Sequence, residues 1–148
     1  MKRYLLLAII LVLLLQLGCS ANKNETPISE EQDRVINVSA EDKAIIDRSE
    51  TLSDHVVELF GIDDAATIIF NDTALVSVIM AYDKEFNEDI KELIIDTVLE
   101  TDSSIKEVIV SNDEKTFYQI VDIILDMMNG TPYDNYVNDI SKLIEKNR

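Results

Sequence analysis

Two apolar runs set almost back to back constrain this chain more than any other feature. Ala65-Ala66-Thr67-Ile68-Ile69-Phe70 and Ala74-Leu75-Val76-Ser77-Val78-Ile79-Met80 are rich in β-branched residues, and Asn71-Asp72-Thr73 between them are turn formers. The pattern predicts a β-hairpin, with a three-residue loop that lacks the glycine usual in such turns. Both runs are apolar at nearly every position instead of alternating. The sheet they begin must therefore be covered on both faces over at least part of its area.

Helical periodicity surrounds the hairpin. Ile45, Leu52, Val56, Leu59 and Phe60 fall on one helical face ahead of it, and Gly61 reads as the left-handed cap that ends that helix. Phe86, Ile90, Leu93, Ile94 and Val98 mark a second amphipathic helix, opened by Asp83, Glu85, Glu88 and Asp89 where the positive end of the helix dipole favours acids. Ile105-Lys106-Glu107-Val108-Ile109-Val110 predicts a third strand. Asn112 or Asp113 then caps a third helix bearing Phe117, Ile120, Val121, Ile124 and Met128, which stops at Gly130. Thr131-Pro132 predicts the cap and first residue of a last helix with Tyr133, Tyr136, Val137, Ile140, Leu143 and Ile144 as its stripe. The expected order is α-β-β-α-β-α-α, an α+β fold in which helices pack on a small three-stranded mixed sheet with a right-handed β-α-β crossover. The middle strand is not legible in this pattern.

The amino terminus is of another kind. Met1, Lys2 and Arg3 precede an apolar run from Leu5 to Leu15, followed by Gln16-Leu17-Gly18-Cys19. A basic start and a short apolar core are what a secretory signal needs, and the run falls short of the roughly 20 residues that cross a bilayer as a helix. Cys19 is the only cysteine, and its surroundings resemble a lipobox, with Gln16 where leucine is usual. Gly18 is small enough to admit a peptidase, and the Cys19 sulfur would carry a diacylglyceryl group that holds the new terminus in a membrane. With no second cysteine there is no disulfide to occupy the thiol. The competing readings are an uncleaved membrane anchor and a secreted form with a free thiol. The expected organisation is a signal peptide over residues 1–18, the lipidated cysteine and a flexible tether over 19–40, and a folded domain over 41–148. The polar stretch from Ser20 to about Ser39 would reach on the order of 25 Å as a flexible chain. Val35, Ile36 and Val38 are left open as a short strand or staple.

Charge excludes one class of partner. Loss of Lys2 and Arg3 takes 13 basic residues to 11 against 29 acids, moving the formal charge from -16 to -18. Such a domain repels phosphate backbones, so no nucleic-acid partner is expected. Chemistry is equally sparse. His55 and Glu58 lie at i, i+3 and could face one metal ion, but with no second histidine the solvated reading prevails and no metal is expected. Asp63-Asp64, Asp72 and Asp113-Glu114 sit at turns and helix starts, where acids cap regardless of function. No calcium loop, nucleophile elbow or glycine-rich phosphate loop can be built, so neither a catalytic centre nor a cofactor is expected. Tyr133 and Tyr136 read as core residues before they read as a docking stripe.

Several segments together carry a family resemblance. Val56-Val57-Glu58-Leu59-Phe60-Gly61-Ile62-Asp63-Asp64-Ala65-Ala66-Thr67-Ile68-Ile69, the Ala74-Leu75-Val76-Ser77-Val78 strand, Asp102 through Ser111 and Asn129-Gly130-Thr131-Pro132 resemble, in order and spacing, the YhcN/YlaJ family of sporulation lipoproteins. Thr131 stands where that family commonly has a basic residue. The resemblance implies a lipoprotein of an endospore former, anchored through Cys19 on the extracytoplasmic face of the forespore or spore inner membrane. It implies a role in cortex assembly, germination or outgrowth without a catalytic centre. The core also looks like ring-building and BON-type domains, which implies a protein partner or self-association through the α+β domain. A cell-wall-acting enzyme would instead need two facing carboxylates in a groove, and a solute-binding lipoprotein would need a pocket of several hundred cubic ångströms.

Overall fold

Residues 37–148 are described by the structure, a computed structural model. In them α1 (Ala40–Val57) leads into β1 (Ile62–Phe70) and β2 (Thr73–Met80), then α2 (Glu88–Thr101), β3 (Glu107–Ser111) and α3 (Glu114–Met128). A single 3-10 turn, Tyr133–Asn135, precedes α4 (Val137–Asn147). The three-stranded mixed sheet of the expected α+β order is present. The middle position goes to β2, antiparallel to β1 and parallel to β3. That placement suits its residues, since Thr73 through Val78 are all buried.

Helices cover both faces of the sheet, as the unbroken apolar runs require. Alternate residues separate into two cores. Ala66, Ile68, Leu75 and Ile109 pack with Phe117, Ile120, Ile123 and Met127 of α3 and with Ile140, Leu143 and Ile144 of α4. Ala65, Ile69, Ala74, Val76 and Val78 pack on the opposite side with Ile94 and Val98 of α2. α1 joins the two, giving Ile46 to the first cluster and Leu52 and Val56 to the second. A fully buried Leu or Ile side chain contributes roughly 1.5–3 kcal/mol relative to leaving it exposed, so these clusters dominate the favourable side of folding.

Polar side chains mark the helix starts. Ser39 Oγ accepts from the Asp42 amide at 3.0 Å, Asn87 Oδ1 from Ile90 at 3.0 Å and Asp113 Oδ1 from Lys115 at 3.3 Å. α3 ends as expected at Gly130, whose φ of 91° lets its amide reach Met127 O at 2.9 Å while Thr131 donates to Asp126 O at 3.0 Å.

Other boundaries depart from the sequence reading. α1 stops at Val57, and Gly61 does not cap it. Gly61 occupies the third position of a tight turn, with φ 96° and the Ile62 amide donating to Leu59 O at 3.2 Å, and this turn carries Phe60 out of the apolar face into solvent. The hairpin loop has two residues, because Thr73 pairs with Phe70 and Asn71 supplies the left-handed conformation, φ 56°, that the missing glycine would have supplied. Asp83 and Glu85 precede α2, and the third strand begins at Glu107, two residues later than expected. On α3 the buried stripe includes Ile123 and Met127, while Met128 is exposed. Pro132 is extended and opens the 3-10 turn, so the last helix proper starts at Val137.

Candidate functional site

Gly18 and Cys19, the expected cleavage and lipidation positions, lie outside the described residues. The acids and histidine singled out in the sequence lie inside them, and each has a local structural role or none. His55 Nδ1 and Glu58 Oε2 are 4.0 Å apart with both side chains exposed. No group of three or more metal-ligating side chains forms among the described residues. Asp64 Oδ1 accepts from the Ala65 amide at 2.8 Å, beside the bulge where β1 starts. The Asp72 carbonyl accepts from Lys106 at 2.7 Å and Glu107 at 3.2 Å, pinning the hairpin loop to the entry of β3.

Three carboxylates are held below their ordinary pKa. Burial works to raise Asp102, but it is outweighed by hydrogen bonds from the Ser104 hydroxyl and amide and from Arg48, which approaches to 2.7 Å. Arg148 donates to both oxygens of Glu107, at 3.0 and 2.6 Å, and Thr73 adds a third bond. Asp113 is lowered to about 2, chiefly by Lys146 at 3.0 Å and then by the Thr116 hydroxyl at 2.9 Å. Each pair joins distant parts of the chain: α1 to the α2–β3 loop, β3 to the carboxyl end, and the start of α3 to the end of α4.

Tyr133 and Tyr136 are half-buried against the first core. The Tyr133 hydroxyl donates to Ile69 O at 2.9 Å, and burial followed by the nearby Asp134 raises its pKa. Tyr136 donates to Asp126 Oδ2 at 2.6 Å, and that bond raises its pKa. Both hydroxyls are thus committed within the fold.

The residues that the periodicity misses are at the junction of two loops. Phe60 is 84 % exposed and Tyr82 is 98 % exposed. The Ala81 amide donates to Gly61 O at 3.0 Å, and Lys84 Nζ stands 5.0 Å from the Phe60 ring centroid, so the loops before β1 and after β2 are bridged. Asp83 holds φ 84°, an unusual conformation for a residue with a side chain, at the step after Tyr82. Glu58, Asp63, Asp83 and Glu85 flank the two rings in sequence and are exposed. The only sequence signal for this surface was an aromatic residue beside a turn former, at Phe60-Gly61 and again at Tyr82-Asp83.

Open clefts lie between elements, with volumes of about 610 Å³ between the start of α1, the hairpin loop and the 3-10 turn, about 390 Å³ between α3 and α4, and about 240 Å³ between α1, β1 and α3. These features define a small acidic α+β domain whose paired carboxylates act as ties and caps and whose most exposed large apolar side chains, among the described residues, are Phe60 and Tyr82. The chain belongs to the sporulation lipoprotein YhcN/YlaJ family, whose family model matches residues 20–147. No curated protein matches the chain. Anchoring to a membrane by lipid is consistent with membership of a lipoprotein family.

Proposed function

We propose that this protein is held by a diacylglyceryl group on Cys19 at the extracytoplasmic face of the forespore or spore inner membrane. There it serves cortex assembly, germination or outgrowth by contact, without catalysis. Phe60 and Tyr82 carry this reading. Two rings so exposed, on loops bridged by a backbone hydrogen bond, suit anchors for pockets on a partner. The flanking acids favour a partner with a basic surface and disfavour anionic lipid head groups. The fate of the carboxylates supports the non-enzymatic part. Asp102, Glu107 and Asp113 are each bound to a cation and shifted down, the opposite direction from a general acid working near neutrality.

A fluorescent fusion expressed from the native promoter tests the assignment. It should be absent during vegetative growth, appear after sporulation begins and outline the forespore, and Cys19→Ala should disperse that outline. Expression confined to vegetative cells would contradict the spore role.

A further inference from the structure

Charge narrows what the Phe60–Tyr82 surface can touch. Lys84 already stands over the Phe60 ring, but Tyr82, 98 % exposed, has no ring or cation against its face among the described residues. Glu58, Asp63, Asp83 and Glu85 are exposed beside the two rings, and Lys84 is the only basic residue in those loops. An aromatic face attracts a cation, and a surface this acidic suits a basic one.

Cations are scarce on this chain. Nine basic side chains fall within residues 37–148, and three of them, Lys115, Lys142 and Lys146, line the cleft of about 390 Å³ between α3 and α4. Lys142 gives Asp139 Oδ1 one hydrogen bond at 3.2 Å and Lys146 gives Asp113 Oδ2 one at 3.0 Å, all four side chains being exposed. Lys115 forms no ion pair among the described residues. An ammonium has three N–H donors, so each lysine keeps at least two for a newcomer. Ile123 and Leu143 close the floor, Tyr136 forms one wall, and the lysine stems add apolar cover. Asp122 and Asp139 also border the cleft, which is thus close to neutral on a chain of formal charge -16. Its volume lies near the lower end of the roughly 300–1,000 Å³ of small-molecule sites, which suits a single ring.

We propose that the occupant of this cleft is Tyr82 of a second copy of this chain. The ring lies among the stems and ammonium groups of Lys115, Lys142 and Lys146, and the acids beside the ring face the same cations. Most other approaches of two chains this acidic set carboxylate against carboxylate, which makes the contact selective. Each copy carries both halves, so the contact is heterologous and joins copies head to tail. The inference rests on the reading of Phe60 and Tyr82 as a contact surface and names what that surface touches.

The full lipid-bearing chain on phosphatidylcholine liposomes, with a benzophenone amino acid at position 82, tests it. Illumination should give an adduct of twice the chain's mass whose linked peptide in the second copy falls within residues 115–146, and raising salt from about 0.05 M to about 0.5 M should reduce the yield. Lys115→Glu with Lys142→Glu should lower the yield about tenfold or more, as should Glu58→Lys with Glu85→Lys. Each double variant should melt within about 2 °C of the wild type, since all four side chains are exposed. Mixing the two double variants should restore the adduct, because each then meets a surface of opposite sign. No double-mass adduct from the wild type, a linkage outside residues 115–146, a yield indifferent to charge reversal, or no recovery on mixing folded variants would overturn the proposal. If the liposome adduct fails while position 82 captures a different protein in sporulating cells, the second copy is overturned and the contact surface stands; if neither adduct forms, both readings fall.

Discussion

Lys146 Nζ and Asp113 Oδ2 meet at 3.0 Å where α3 begins and α4 ends, so the carboxylate that caps one helix also holds the last turn of another. The folded-state pKa of Asp113 is about 2 against an ordinary 3.8. A carboxylate lowered in this way stabilises the fold above its unfolded pKa and loses that contribution as pH falls through its folded value. Stability should therefore drop as pH falls from about 4 towards 2. Asp113→Asn should be less stable at pH 7 and should lose less across that acid window; Asp102 and Glu107, also lowered, leave a residual slope. Urea titrations at several pH values measure this, and identical slopes for the two proteins would contradict it.

Gly61 has a conformational requirement that no other residue type meets easily. Alanine at φ 96° meets no close neighbour, since the nearest atom to an added Cβ would be Lys84 Cγ at 3.5 Å, so the cost is backbone strain. Gly61→Ala should destabilise by about 1–2 kcal/mol in denaturant unfolding. A neutral result would mean that the turn before β1 relaxes freely.

Leu75 lies fully buried in the central strand between Ile68 and Ile109. Leu75→Ala should cost about 2–5 kcal/mol, the range for a core cavity. Leu93→Ala, on the half-exposed flank of α2, should change stability by about 0.5 kcal/mol or less. The pair, measured by thermal unfolding, separates a residue of the two-sided core from one on the exposed margin of a helix.

Phe60 and Tyr82 should behave in the opposite way, with Tyr82→Ala altering stability by about 0.5 kcal/mol or less. A photo-cross-linking residue at position 82 in sporulating cells should give a discrete protein adduct that weakens with salt and disappears with Phe60→Ala. An adduct indifferent to Phe60 would show that the two rings do not act as one surface.

Element types and their order were legible because hydrophobic periodicity is strong from Ile45 to Ile144. The strand runs even announced two-sided burial. Errors gathered where local backbone geometry decides. Gly61 after an apolar stripe has the sequence signature of a helix cap, which would place Phe60 inside; a turn with its own hydrogen bond puts it outside. Stripe phase slipped on α3 because Ile123 and Ile124, and Met127 and Met128, are adjacent pairs whose orientation depends on where the sheet lies. The sheet order depended on long-range pairing. The candidate surfaces were less legible still. Nothing in the spacing links Phe60 to Tyr82, since their loops are brought together only by the pairing of β1 with β2 and the Ala81–Gly61 backbone hydrogen bond.

Intact mass spectrometry of the native protein isolated from spore membranes tests the anchored, contact-making account most directly. The predicted result is a chain of 130 residues, 148 minus the first 18, beginning at Cys19 and carrying the added mass of a diacylglyceryl group. An unmodified chain that still begins at Met1, recovered from the soluble fraction, would contradict it.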